Sequence, residues 1–97
     1  MSDHPLFELG QVVATRSVID LGISTDVIAS LLTRHVTGDW GQIDDEDRRA
    51  NDAAVLPENQ ARIMSVYTVD HAGEPVVLWI ITEGDRSVTT ILRPNDY

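Results

Sequence analysis

Ninety-seven residues make one domain and leave no room for a second core. The hydrophobic share, 42%, is too high for a disordered chain, yet no run nears the ~20 consecutive apolar residues that span a bilayer. Sixteen acidic residues against seven basic ones leave a formal charge of −9, which opposes binding to phosphate backbones and anionic lipid. All the basic residues are arginine, and cysteine is absent, so disulfides, thiolate metal sites and cysteine nucleophiles are excluded. The opening MSDHPLFELG has two acids, no base and no apolar stretch, and is read as no secretory signal. A soluble, cytoplasmic protein that meets basic protein surfaces, not nucleic acid or membrane, is the resulting expectation.

In chain order, QVVATR (11–16) is short, β-branched and preceded by Gly10, which predicts a strand. Ser17 is placed to cap a single helical turn, VIDL, that Gly22 stops. Ser24 or Thr25 opens a second helix with Asp26 in its first turn. Along it Val27, Ile28, Leu31, Leu32, His35 and Val36 recur at helical spacing, and Gly38 follows as the stop. A third helix is expected from Asp44. Its acidic first turn suits the positive end of the helix dipole, and Asp44–Arg48 and Asp45–Arg49 have i,i+4 spacing. Ala50, Ala53 and Ala54 form a small apolar face suited to a sheet, and Pro57 ends the helix.

From Ala61 the hydrophobic period changes to two. RIMSVYTVD, PVVLWIIT and SVTTILR are separated by the turn sequences HAGE and EGDR, which predicts a three-stranded antiparallel meander. Val76 to Ile81 is apolar on both faces, so helices or a partner should cover both. The fold class is α+β: an N-terminal strand and two to three helices packed on a mainly antiparallel sheet with a C-terminal meander.

Two clusters are candidates for chemistry. His35 precedes Asp39 by four residues, and a carboxylate beside a histidine is the minimum for a general base. The same stretch, HVTGDWG, is also what a helix end requires: a histidine at the negative end of the dipole, a glycine stop, and Trp40 as a core plug. In EGDRSVTT, Arg86 with Ser87 and Thr90 at a sheet end has the makings of an anion site. A pairing of Arg86 with Glu83 or Asp85 accounts for it equally well. Metal is not expected: DDED lacks calcium-loop spacing, and His4, His35 and His71 are scattered. No nucleotide-binding or nucleophile-elbow motif occurs, and no cofactor is expected.

FELGQVVAT, RHVTGDWG and LWIITEGDRSVTTILRPNDY resemble a family of small proteins carried on plasmids and integrated elements, often given restriction-related labels. The resemblance spans most of the chain and implies interplay with host defence or nucleic-acid machinery. Three functional expectations follow. The first is a binding protein whose acids Asp39, Asp44, Asp45, Glu46, Asp47, Asp52 and Glu58, with Trp40 as anchor, engage a basic nucleic-acid-handling partner, as anti-restriction or anti-CRISPR inhibitors do. The second is a small metal-independent enzyme of toxin-RNase type, using His35, Arg86, Ser87 and Thr90. The third is a structural or regulatory homodimer built on VVLWII.

Overall fold

A computed structural model describes residues 4–97; the first three residues of MSDHPLFELG lie outside the described residues. Ala72 and Gly73 both take positive φ, 54° and 80°, as a two-residue hairpin loop with matching twist requires. They join β2 (Ile63–His71) to β3 (Glu74–Thr82) in unbroken antiparallel register, from Ile63 opposite Thr82 to His71 opposite Glu74. Strand β4 (Val88–Leu92) returns antiparallel to β3. Strand β1 (Gln11–Ala14) lies parallel to β4 at the far edge, giving the order β1-β4-β3-β2. Between β1 and β2 the chain forms α1 (Arg16–Leu21), α2 (Thr25–Val36) and α3 (Asp45–Ala54). This is the expected α+β architecture with its C-terminal meander.

The helix starts follow local chemistry. Ser24 caps α2, its hydroxyl accepting from the Val27 amide at 3.2 Å. Asp44 caps α3 in the same way, from Asp47 at 2.8 Å. Ser17 does not cap α1: Thr15 holds that position, and both hydroxyls donate to the Asp96 carboxylate, at 2.7 Å from Thr15 and 2.5 Å from Ser17. Asp96 belongs to the terminal 3₁₀ turn Pro94–Asp96, so the chain's end ties down the start of α1. The expected i,i+4 pairs on α3 are replaced by one i,i+3 pair, Asp45 with Arg48, because the Asp44 carboxylate is committed to its cap.

Helices cover one sheet face. Leu31 and Val18 pack on Tyr67, Val76, Leu78, Ile80 and Ile91, and a second cluster joins Phe7, Trp40, Ala54 and Ile63. Leu78 and Ile80 are fully buried, and truncating either to alanine would cost about 2–5 kcal/mol. Among the described residues, none of α1, α2 and α3 packs on the opposite face, where Tyr97, following the terminal 3₁₀ turn, meets Trp79. Val13 and Val77 are each 37% exposed there, and Trp79 is half-buried against the Tyr97 ring at 5.5 Å. The doubly apolar run is thus covered by helices on one side only.

Helix α3 turns Asn51 and Ala54 inward and leaves Ala50 and Ala53 exposed, contrary to the small-residue face expected. The reason is the outer edge of β2. The Asn51 carboxamide donates to the Met64 carbonyl at 2.7 Å and accepts from the Met64 amide at 3.3 Å, imitating a peptide group of a neighbouring strand. Two residues on, the Val66 amide donates to Trp40 O at 3.0 Å and its carbonyl accepts from Gln42 N at 2.7 Å. Gly41 sits between them at φ 76°, where a Cβ would fall 2.0 Å from the Val66 oxygen. Only glycine permits that approach.

Asn51→Ala leaves both Met64 backbone groups without a partner, and should lower unfolding free energy by about 1–3 kcal/mol in urea titrations. Exposed Ala53→Ser should stay within about 0.5 kcal/mol of the parent.

Candidate functional site

His35 is fully buried, near the end of α2, where the apolar stripe directs it into the sheet. Its Nδ1 lies 2.6 Å from Ser65 Oγ on β2, and its Nε2 lies 2.9 Å from Thr82 Oγ1 on β3. Thr82 Oγ1 lies 2.7 Å from Thr89 Oγ1 on β4, and Thr89 donates to the Leu9 carbonyl at 2.7 Å. The proton order along this chain is forced from its end. A carbonyl only accepts, so the single Thr89 proton goes to Leu9. Thr82 must then donate to Thr89 and accept from His35, which places the ring proton on Nε2. Nδ1 is left to accept the Ser65 hydroxyl.

Ser65 donating to a histidine is the arrangement of a nucleophile and its base. Here both residues are fully buried, and so are Thr82 and Thr89. Phe7 closes over the imidazole edge-on at 5.2 Å, and Trp40 approaches it at 6.0 Å. Burial pushes the His35 pKa down to about 4, since the charged ring loses its hydration there. The ring is neutral at pH 7, and its lone pair is already taken by Ser65. It serves as a cross-tie among three elements, not as a base open to a substrate.

Asp39 does not orient His35. Its carboxylate takes a two-pronged contact from Arg34, at 2.7 and 3.3 Å, which holds it below the usual carboxylate range. The Arg34 guanidinium lies 4.6 Å over the Tyr67 ring, whose hydroxyl donates to the Asp39 carbonyl at 2.6 Å. Burial pushes the Tyr67 phenol up to about 12.

Arg86 is spent on backbone. Its guanidinium donates to the carbonyls of Ala54 at 2.6 Å, Ala61 at 2.7 Å and Glu83 at 3.2 Å. It thereby ties the end of α3 to the approach to β2 and the β3–β4 turn, with φ 61° at its own Cα. Neither expected acid pairs with it: Glu83 takes Arg62 at 3.1 Å, and Asp85 accepts the Ser87 hydroxyl at 2.6 Å. Thr90 lies on the open sheet face, lining a shallow depression with Ile81, Leu92 and Tyr97. His35, Arg86, Ser87 and Thr90 therefore do not converge on one cavity.

Among the acids, Trp40 and Asp52 form a pair: the indole, 4% exposed, donates to the Asp52 carboxylate at 3.0 Å. Trp40 is core, not a surface anchor, because Phe7, Ala54 and Ile63 enclose it. Asp44, Asp45, Glu46, Asp47, Asp52 and Glu58 are all exposed, the first four in succession at the positive end of α3. Among the described residues, the Glu46 and Asp47 carboxylates have no side-chain or backbone partner. Also among the described residues, no group of histidine and acid side chains has the geometry to hold a metal, and no helix is long and apolar enough to cross a membrane.

Ser65 and Thr82 were not singled out from sequence, and Thr89 stood only among the hydroxyls of EGDRSVTT. The signal was available in the strand period, which puts Ser65 between Ile63 and Tyr67 and Thr82 after Leu78 and Ile80, on inward positions. No protein-family model matches this chain, and none of the curated proteins or solved structures does.

Arg86→Lys, which lacks the planar fork, should cost about 2–3 kcal/mol of stability in urea unfolding. The His35 ring is neutral when folded, with pKa about 4 against 6.5 when unfolded. The unfolded state therefore binds the extra proton first, and stability is lost as pH falls from 6.5 towards 4. The loss should total about 3 kcal/mol. Urea midpoints across that window, with the ring's NMR titration, measure it. The lowered carboxylates of Asp39, Asp85 and Asp96 stabilise the fold above the ordinary carboxylate pKa and lose that contribution only at pH below the His35 window.

Proposed function

We propose that this chain is a small acidic binding protein of mobile-element type that masks a basic, nucleic-acid-handling host protein in the cytoplasm. The observation that carries the reading is the exposed acidic start of α3, where Glu46 and Asp47 have no partner of their own among the described residues. Carboxylates left free at a rigid helix end are ready to meet arginine and lysine without first breaking an internal contact. A chain of net charge −9 without a single lysine adds a long-range field of one sign. The resemblance of GDWG and ITEGDRSVTTIL to segments of plasmid-borne proteins supports a host defence or nucleic-acid enzyme as the target.

With Trp40 in the core, the apolar contribution to such a contact falls to Leu6 and Leu56, 47% and 46% exposed. They line one depression together with Glu8 and Pro57, at the opposite end of α3 from the acidic turn. The expected interface is accordingly charge-led, with a modest apolar component.

Affinity capture from the host lysate, washed at low and high salt, should recover a basic nucleic-acid-binding protein that high salt releases. Reversing Glu46, Asp47 and Glu58 to lysine spares the Asp44 cap and the Trp40–Asp52 contact. It should slow association with that partner about tenfold or more at low salt, converging with the parent at high salt. Unchanged association by surface plasmon resonance overturns the acidic-face reading.

A further inference from the structure

The two edges of the sheet differ in cover and in charge. On β2, Asn51 and the Trp40–Gln42 segment occupy the outward backbone groups of Met64 and Val66, and the outward positions that remain are Thr68 and the acidic Asp70. On β1, the Gln11 amide donates to Ser87 O and the Thr15 amide to Ile91 O, both at 3.0 Å. Strand alternation then turns the N–H and C=O groups of Val12 and Ala14 away from β4, onto the outer edge. Among the described residues no other backbone segment pairs with them. Exposed edges are normally blunted by short length, charge, proline or a bulge. QVVA is short, at four residues, but carries no charge, proline or bulge, and its register with β4 is continuous.

The surroundings are apolar. Val12, Val13 and Ile19 are 41%, 37% and 61% exposed. Beside the edge lies a groove of about 230 Å³ lined by Ala14, Val18, Ile19, Ile23, Ile28 and Ile91. The charge pattern selects the occupant. In a chain with sixteen acids, residues 9–19 contain none, and carry one base, Arg16. Of the flanking carboxylates, Asp20 is engaged with Arg16 at 3.3 Å and Asp96 with the Thr15 and Ser17 hydroxyls, while Glu8 precedes the strand and is exposed. Asp26 opens α2 nearby. A second molecule of the same acidic protein meets no carboxylate along this edge strand itself.

We infer that β1 pairs antiparallel with β1 of a second copy, making one continuous eight-stranded sheet from two four-stranded ones. A two-fold axis through Val13 sets Val12 of each copy opposite Ala14 of the other, so the outward amides and carbonyls satisfy one another. Val13 faces Val13 across the axis on the open sheet face. The acidic start of α3 belongs to the β2 side of the molecule and stays free, so the pairing is independent of the function proposed above.

Analytical ultracentrifugation over a wide concentration range tests it, with Val12→Pro, Val13→Lys and Val13→Glu alongside the parent. The parent should reach twice the monomer mass. Val12→Pro removes only an outward-facing amide and should give a folded monomer by circular dichroism. Val13→Lys and Val13→Glu should each be monomeric alone and form a dimer when mixed, which does not depend on whether the proline variant folds. A parent that stays monomeric at NMR concentrations overturns the inference. So does a dimer that survives Val13→Lys, which would place the contact elsewhere, such as on Val77 and Trp79.

Discussion

The imidazole of His35 bonds two strands at once, and through Thr82 and Thr89 it reaches a third strand and the Leu9 carbonyl. Each hydroxyl in the chain has one proton, so there is one order in which every polar group is satisfied. Burying a polar group without a partner costs several kcal/mol on apolar transfer scales, and a single shift of register along β3 would orphan several at once. The chain therefore acts less as a source of net stability than as a test of correctness. Helix α2, the three meander strands and the segment before β1 must all be in place before it closes. Among the described residues no buried side-chain nitrogen or oxygen lacks a partner, which is the signature of a network completed in full.

That network also explains why the histidine beside hydroxyls is a buried cross-tie and not an open base. Catalysis needs a lone pair that a substrate proton can reach, and a pKa near the working pH. His35 has given its lone pair to Ser65, and burial has moved its pKa to about 4. The same reasoning covers Arg86. A guanidinium bridging three carbonyls cannot also stabilise a developing anion without breaking the joint between α3 and the β3–β4 turn.

Much of the fold was legible because it rests on local rules. The Ser24 and Asp44 caps, the Gly38 stop, the period-two runs and the HAGE turn each act over a few residues, and each stands where the sequence put it. What was not legible depends on contacts between distant segments. Ser17 looks like a cap, but Asp96, seventy-nine positions away, takes its hydroxyl. Ala50 and Ala53 look like a packing face, but Asn51 wins the inward position because β2 offers it two backbone groups. Trp40 was ambiguous between anchor and core, and the clusters around Phe7 and Ile63 decided it. The strand parity of Ser65 and Thr82 was the clue that period-based reading passes over, since it looks for apolar residues at inward positions rather than for the polar ones among them.

Charge and edge geometry together divide the surface. Five acids cluster at and in α3, which covers the first half of the β2 edge by way of Asn51, so the charged helix also shields part of that edge. The β1 edge, with its free backbone groups, lies within one of the chain's acid-free stretches, residues 9–19. A protein repelled by its own kind over most of its surface can leave one edge unguarded only where something definite pairs with it, since a flat apolar edge otherwise recruits any extended chain. An acid within the strand would have been the simplest protection, and the four residues QVVA carry none. Open backbone groups, exposed valines and no charge coincide on that strand, which is the reason to regard the edge as a contact and the α3 acids as the surface left free for a partner.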